Sequence, residues 1–120
     1  MRQAFHRLRV PTSDKRLTDI TRDVNAWIAR EQFSAGLLTL YIRHTSASLL
    51  IQENADPDVR ADLENFFERL APENGPYVHD AEGPDDMPAH IRAALTQVSL
   101  SIPVSGGPTR PSAPLTPGIW

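Results

Sequence analysis

The run His44-Thr45-Ser46-Ala47-Ser48 is the first place where side chains of this sequence could carry out chemistry. It combines one titratable imidazole with three hydroxyl groups in a short connection between two apolar segments. A tight turn between strands would ordinarily use Gly, Asn or Pro, so these residues suggest a turn built for polar contacts. The alternative is that the hydroxyl groups only close the turn through hydrogen bonds to the local backbone.

The second polar run, Gln52-Glu53-Asn54-Ala55-Asp56-Pro57, stands directly before a segment with helical periodicity. Free backbone N–H groups and the helix dipole favour anions at such a position, so the run could bind a phosphate group. Asp56 is also the expected N-cap of that helix. If Asp56 only caps the helix, Glu53 and Asn54 are still available to a ligand.

The third polar run extends from His79 to His90 and holds two histidines and four carboxylates within twelve residues. Asp86 and His90 stand four residues apart and would share one helix face. The carboxylate could orient the imidazole there, or both could bind a divalent cation. The spacing matches neither a zinc finger nor the His-Glu-x-x-His pattern of a metalloprotease. The alternative is a structural or solvent-exposed segment without a ligand.

Alternating and helical apolar patterns predict the elements around the first polar run. Residues 4–10 alternate in the manner of an edge strand. Apolar residues at helical spacing predict a helix over residues 17–31, with Thr18 as its N-cap. Two runs of aliphatic and β-branched residues, 37–43 and 47–52, predict two strands that the histidine turn joins.

The second half of the chain predicts two helices and a strand. Asp56 begins the first helix, whose expected buried stripe consists of Val59, Leu63, Phe66 and Leu70. Residues 73–86 lack periodicity and contain Gly and Pro, which indicates a loop. Asp85 or Asp86 is then expected to cap a third, short helix. Strict alternation over residues 98–104 predicts a half-buried strand.

The last residues differ in character from the rest of the chain. Four prolines recur there at every third position: Pro108, Pro111, Pro114 and Pro117. This is the period of a polyproline II helix, and proline cannot donate a ladder hydrogen bond, so we expect this segment to lie outside any sheet. The element order predicts an α+β fold with helices on one face of a mostly antiparallel sheet. We expect one domain over residues 1–106 and a Pro-rich tail over residues 107–120.

Composition narrows the possible partners. The chain of 120 residues is 40% hydrophobic and 22% charged, which is typical of a single globular domain. A formal net charge of −3 gives no electrostatic reason to expect nucleic acid as a partner. The absence of cysteine excludes disulfides and thiolate ligands. No apolar run approaches the length of a membrane span, so we expect a cytoplasmic protein whose ligands are small molecules.

The three polar runs together resemble the motifs of the YjbQ family, whose fold is α+β and assembles as a homotrimer. The residues that carry the resemblance are His44-Thr45-Ser46-Ala47-Ser48-Leu49, Glu53-Asn54-Ala55-Asp56-Pro57-Asp58-Val59 and Glu82-Gly83-Pro84-Asp85-Asp86-Met87-Pro88-Ala89-His90-Ile91. The resemblance implies a polar pocket near the subunit boundaries. The catalytic residues that it implies are His44, Ser46, Glu53, Asp86 and His90. The substrate-binding residues that it implies are Thr45, Ser48, Asn54, Asp56 and Asp85.

The resemblance also implies a weak, secondary thiamine-phosphate synthase activity, which joins hydroxymethylpyrimidine diphosphate to thiazole phosphate. The expected ligand is therefore a small phosphorylated metabolite. Some members of the family hold a metal in the pocket, so a divalent ion such as Mg²⁺ or Zn²⁺ on His44 and His90 is expected. The primary role of the family is not established by the resemblance.

The tail departs from the resemblance. Where the family continues into further strands, this sequence runs through prolines to Gly118-Ile119-Trp120, which predicts a truncated or frame-shifted end. Two alternatives to an enzyme therefore stay open. One is a non-catalytic module that binds a phosphometabolite or a metal. The other is an inert truncated member of the family with an exposed sheet edge.

Overall fold

The computed structural model of the protein describes residues 1–12, 16–52, 56–105 and 115–119. The described residues form three helices and five strands. The helices are α1 (Thr21–Glu31), α2 (Pro57–Leu70) and α3 (Asp86–Leu95). The strands are β1 (Arg16–Leu17), β2 (Ala35–Tyr41), β3 (Ala47–Ile51), β4 (Ser99–Ser105) and β5 (Leu115–Ile119).

All strand pairs that the structure describes are antiparallel. One sheet has the order β1-β5-β3 and the other pairs β2 with β4. An antiparallel bridge between Leu49 of β3 and Gln97, two residues before β4, links the two sheets. The predicted α+β class and the antiparallel pairing are confirmed. The histidine turn does connect β2 to β3, but these strands pair with β4 and β5 instead of with each other.

The helices pack in two groups. The first group is α1, which packs on Leu49 of β3 and on apolar residues of β2 and β4. Its contacts come from Val24, Ile28 and Ile20, the residue just before the helix. Leu50, the next residue of β3, packs instead on a second cluster, which consists of Leu17 of β1, Phe67 of α2 and Ala89 of α3. Because neighbouring side chains of a strand point to opposite faces, the two groups lie on opposite sides of β3.

Helix α1 begins later than the sequence predicts. Leu17 belongs to β1, where its N–H donates to Glu64 Oε1 (3.2 Å) and its carbonyl accepts from Arg60. These contacts with α2 take the backbone of Leu17 out of the helix, so Thr18 is not the N-cap. Asp19 Oδ1 instead accepts from the N–H of Thr21 at the first helical residue (2.9 Å). The predicted end at residue 31 is confirmed.

Helix α2 has the predicted start but a different buried face. Asp56 accepts a hydrogen bond from the N–H of Asp58 (2.9 Å), and Pro57 follows the cap, as expected. Phe67 is buried, whereas Phe66 is 48% exposed. The predicted buried stripe that includes Phe66 is therefore wrong. The helix is rotated so that Phe67, and not Phe66, enters the core.

Residues 4–10 do not form the predicted edge strand. The N-terminal segment runs beside α1 and is held by side chains. Arg2 pairs with Glu31 (3.1 Å), and the ring of His6 stacks on Trp27 with centroids 5.7 Å apart. In this segment, side-chain contacts with α1 take the place of the predicted strand pairing.

Strand β5 corrects the prediction that the whole tail lies outside the sheet. It runs between β1 and β3, with Pro117 opposite Leu49. Leu49 exchanges its backbone hydrogen bonds with Gln97, on the side away from β5. Pro117 therefore occupies a position where a strand residue directs no N–H toward β3, so its missing donor costs no bond in this ladder. Pro108, Pro111 and Pro114 lie outside the described residues.

The third helix and the last alternating strand are confirmed, as α3 and β4, to within one or two residues. In the described ranges, every helix is too short or too polar to cross a membrane.

Candidate metal centre

Helix α3 and the loop before it assemble a cluster of four titratable side chains. Asp86 and His90 stand one turn apart on α3, and His90 Nε2 lies 3.1 Å from Asp86 Oδ2. The loop before α3 places His79 beside the same carboxylate. His79 Nε2 lies 2.8 Å from Asp86 Oδ2 and 3.0 Å from Glu82 Oε2. The two rings meet with their centroids 5.7 Å apart. We call His79, Glu82, Asp86 and His90 the HEDH cluster.

The histidine turn fixes the protonation pattern of His90. Its Nδ1 lies 3.2 Å from the carbonyl oxygen of Thr45. A carbonyl can only accept, so Nδ1 carries the proton and donates. In the neutral ring Nε2 then has a lone pair, and this lone pair faces a carboxylate oxygen. Two acceptors repel each other, so the arrangement is favourable only when a proton or a metal ion lies between them.

Charge within the cluster reinforces this preference. Hydrogen bonds to Asp86 and then to Glu82 raise the pKa of His79 above its ordinary value. The hydrogen bond from His79 lowers the pKa of the Asp86 carboxyl below its ordinary value. The cluster therefore stabilises positive charge at its centre, which a proton supplies at one ring and a divalent cation could supply to all four groups.

The donor set fits a zinc ion. One atom from each of the four side chains lies within 4.8 Å of the others. Tetrahedral zinc with bonds of about 2.0–2.2 Å holds its ligands about 3.4 Å apart. The contacts of 2.8–3.1 Å would therefore widen slightly and the longer separations would close. Imidazole nitrogens suit Zn²⁺, whereas Mg²⁺ prefers oxygen ligands and water. Histidines that bind a metal through one ring nitrogen ordinarily donate a hydrogen bond from the other, and His90 makes such a bond to the carbonyl of Thr45.

His44 occupies a different chemical state. Its Nδ1 accepts a hydrogen bond from the N–H of Ser46 (2.9 Å). Because Nδ1 is the acceptor, the proton of the neutral ring is on Nε2, which makes His44 a donor. The structure thus brings His90 into the HEDH cluster but not His44, the other residue predicted as a metal ligand.

The histidine turn and α3 enclose an open groove of about 790 Å³. His44 and Thr45 line one side, and His90 lines the other, so the groove lies directly beside the HEDH cluster. The first and third polar runs of the sequence are therefore brought together. Arg43, just before the turn, also lines the groove and was not among the predicted site residues.

The other predicted site residues have separate positions. Ser48 is fully buried and shares a hydrogen bond with the hydroxyl of Thr96, and neither residue lines the groove. Asp56 caps α2. Asp85 occupies the N-cap position of α3 without a side-chain cap bond, and Ser46 contributes its backbone N–H to His44. Glu53 and Asn54 lie outside the described residues.

Sequence reasoning did not select His79 and Glu82 as site residues. They stand in a loop, where no periodicity indicates which side chains converge. The density of titratable groups in the third polar run was the only signal for them, and it identified the segment but not the ligands.

An antiparallel α+β fold with a groove between a histidine turn and a histidine-carboxylate helix defines a distinct class of protein. The family model described as "UPF0047 protein YjbQ-like" matches residues 6–111 of this chain. The chain belongs to this family.

Relatives agree in sequence and in fold. A UPF0047 protein of Synechocystis is 50% identical over 107 residues, which cover 88% of this chain and 73% of the relative. The UPF0047 protein YjbQ of Escherichia coli O157:H7 is 52% identical over 85 residues, which cover 71% of this chain and 60% of the relative. The crystal structure of an uncharacterized conserved protein of the YjbQ/UPF0047 family from Clostridium acetobutylicum superposes with a TM-score of 0.80 at 30% identity. That match covers 90% of this chain and 84% of the other.

Proposed function

We propose that the protein binds a divalent transition metal at the HEDH cluster and a small phosphorylated metabolite in the adjacent groove. The observation that carries the proposal is the hydrogen bond from His90 Nδ1 to the carbonyl of Thr45. It directs the lone pair of Nε2 at Asp86 in the neutral ring, which is the state that a metal ligand needs. Of the two metals expected from the resemblance, the two imidazole nitrogens of the donor set favour Zn²⁺ over Mg²⁺.

The proposal extends to the reaction class that the family resemblance implies, the joining of hydroxymethylpyrimidine diphosphate to thiazole phosphate. In such a transfer a diphosphate leaves as the new carbon–nitrogen bond forms, and negative charge grows on its oxygens. A bound metal would supply electrostatic stabilisation of that charge. His44 supports the same step because its Nε2–H can donate to an oxygen of the leaving group. Thr45 supports it indirectly by holding the ring of His90 in place.

Titration with Zn²⁺ tests the metal site. His90→Ala removes one ligand, so we expect the zinc affinity measured by calorimetry to fall by about 100-fold or more. His44→Ala is the matched control and should leave zinc affinity unchanged, because its ring is outside the HEDH cluster. Both side chains are at least partly exposed, so neither variant should lose more than about 1 kcal/mol of unfolding free energy. Equal zinc affinities of the His44→Ala and His90→Ala proteins would overturn the proposed site.

Turnover is tested separately. The zinc-loaded protein is incubated with the two phosphorylated substrates, and thiamine phosphate formation is measured in parallel with ligand binding. Product that disappears in His44→Ala while zinc binding persists would support the transferase. Ligand binding without product would reject the transferase and assign the groove to a non-catalytic binding module.

A further inference from the structure

The groove has an uneven distribution of charge. Arg43 lines it beside His44, and none of the residues that line it is a carboxylate. In the part of the chain that the structure describes, no carboxylate forms an ion pair with Arg43. Its guanidinium is exposed and permanently positive. Arg43 therefore offers a planar set of donors that matches the geometry of a phosphate group.

The rest of the groove is apolar and has small side chains on one side. Ala93 and Ala94 follow His90 on the same face of α3, and Ile42 and Val98 also line the groove. The backbones of Ile42 and Val98 are joined directly, since the N–H of Ile42 donates to the carbonyl of Val98 (2.9 Å). The small side chains of the two alanines leave room for a ligand on this side of the groove.

The start of α2, which the sequence suggested as a phosphate site, is less suitable. Asp56 already accepts a hydrogen bond from the N–H of Asp58 there. The carboxylates of Asp56 and Asp58 would repel an anion at this helix end. The groove has the opposite character, because its fixed charge is positive.

We propose that Arg43 is the specificity-determining residue of the groove and selects ligands that carry a phosphate ester over the same ligands without it. The phosphate pairs with the guanidinium of Arg43, and the rest of the ligand lies against Ala93 and Ala94. The inference rests on the proposed function for the identity of the site, and it adds which residue recognises the phosphate. It requires no metal, because the charge of Arg43 is permanent.

The test compares two probes that differ only in the phosphate: thiamine monophosphate and thiamine. Calorimetry measures both affinities, with and without Zn²⁺, for the full chain. Wild-type protein should prefer the monophosphate by about tenfold, which corresponds to one charge-assisted hydrogen-bonded pair. Arg43→Gln should abolish this preference and leave the affinity for thiamine unchanged. Arg43→Lys should restore part of it, and Arg30→Gln, a change on the exposed surface of α1, should have no effect.

A second variant tests the apolar part of the groove. Ala94→Leu fills part of the groove, and because Ala94 is exposed the protein should still fold. Both probes should then bind about tenfold more weakly, with the preference for phosphate retained. An Arg43→Gln protein that keeps the phosphate preference, or a wild-type protein that binds neither probe, would overturn the inference. The zinc titration of His90→Ala is independent of these outcomes, so failure of the metal site would be recognised separately.

Discussion

The histidine turn and the HEDH cluster each contribute one imidazole to the same groove, and two adjacent backbone groups fix the two rings in opposite ways. The N–H of Ser46 donates to Nδ1 of His44, whereas the carbonyl of Thr45 accepts from Nδ1 of His90. The neutral ring of His44 therefore presents a donor at Nε2, and that of His90 presents a lone pair. One short turn thus leaves a hydrogen-bond donor on one ring and a lone pair on the other.

The contacts that distinguish the two rings come from the backbone of the turn and not from its hydroxyl groups. Ser46 and Thr45 act on the histidines through main-chain atoms. The conformation of the turn therefore sets the tautomers of both histidines. Variants that alter one region without the other sharpen the comparison.

The largest expected effect comes from removing the support below α3. Phe67 packs with Ala89, the neighbour of His90, and its carbonyl accepts from Arg92 of the same helix (3.3 Å). Phe67→Ala should reduce the unfolding free energy by about 3–5 kcal/mol because it leaves a cavity in this cluster. The control is Phe66→Ala, in which a half-exposed ring with an edge contact to Phe67 is lost, at a cost of about 1 kcal/mol. Chemical denaturation of both proteins measures the difference, and similar losses would show that the described face of α2 is not the buried one.

A smaller effect is expected where the two regions are joined. The hydroxyl of Thr96, at the end of α3, donates to the carbonyl of Arg92 (2.8 Å) and shares a hydrogen bond with Ser48 of β3. Thr96→Val keeps the shape of the side chain and removes these bonds, so it should cost about 1–2 kcal/mol. Thr96→Ser retains the hydroxyl and should recover most of the loss. If Val and Ser are equally destabilising in denaturation experiments, packing at this position matters and the hydrogen bonds do not.

Sequence patterns predicted much of this arrangement because several signals were local. The Asp56 cap, the alternation that became β4 and the four-residue spacing of Asp86 and His90 each depend on near neighbours. The choice between Phe66 and Phe67 is different, since both stand at helical spacing from Leu63 and only the docking of α2 selects one.

Two further differences are also tertiary in origin. Pro117 can pair with β3 because it lies opposite Leu49, whose backbone bonds go to Gln97 instead. His79 joins the cluster because the loop folds back onto α3, and loops carry no period that would reveal this. Sequence identified the polar segments of the site, while the tautomers of its histidines required the positions of backbone atoms.

The opposite states of His44 and His90 can be observed directly by long-range ¹H–¹⁵N NMR correlation of the imidazole rings. The chain has four histidines, so the spectra can be assigned with single His→Gln variants. We predict that neutral His44 carries its proton on Nε2 and His90 on Nδ1, and that Zn²⁺ shifts the Nε2 resonance of His90 while that of His44 is unchanged. The same tautomer in both rings, or a zinc-dependent shift at His44 with none at His90, would contradict the account.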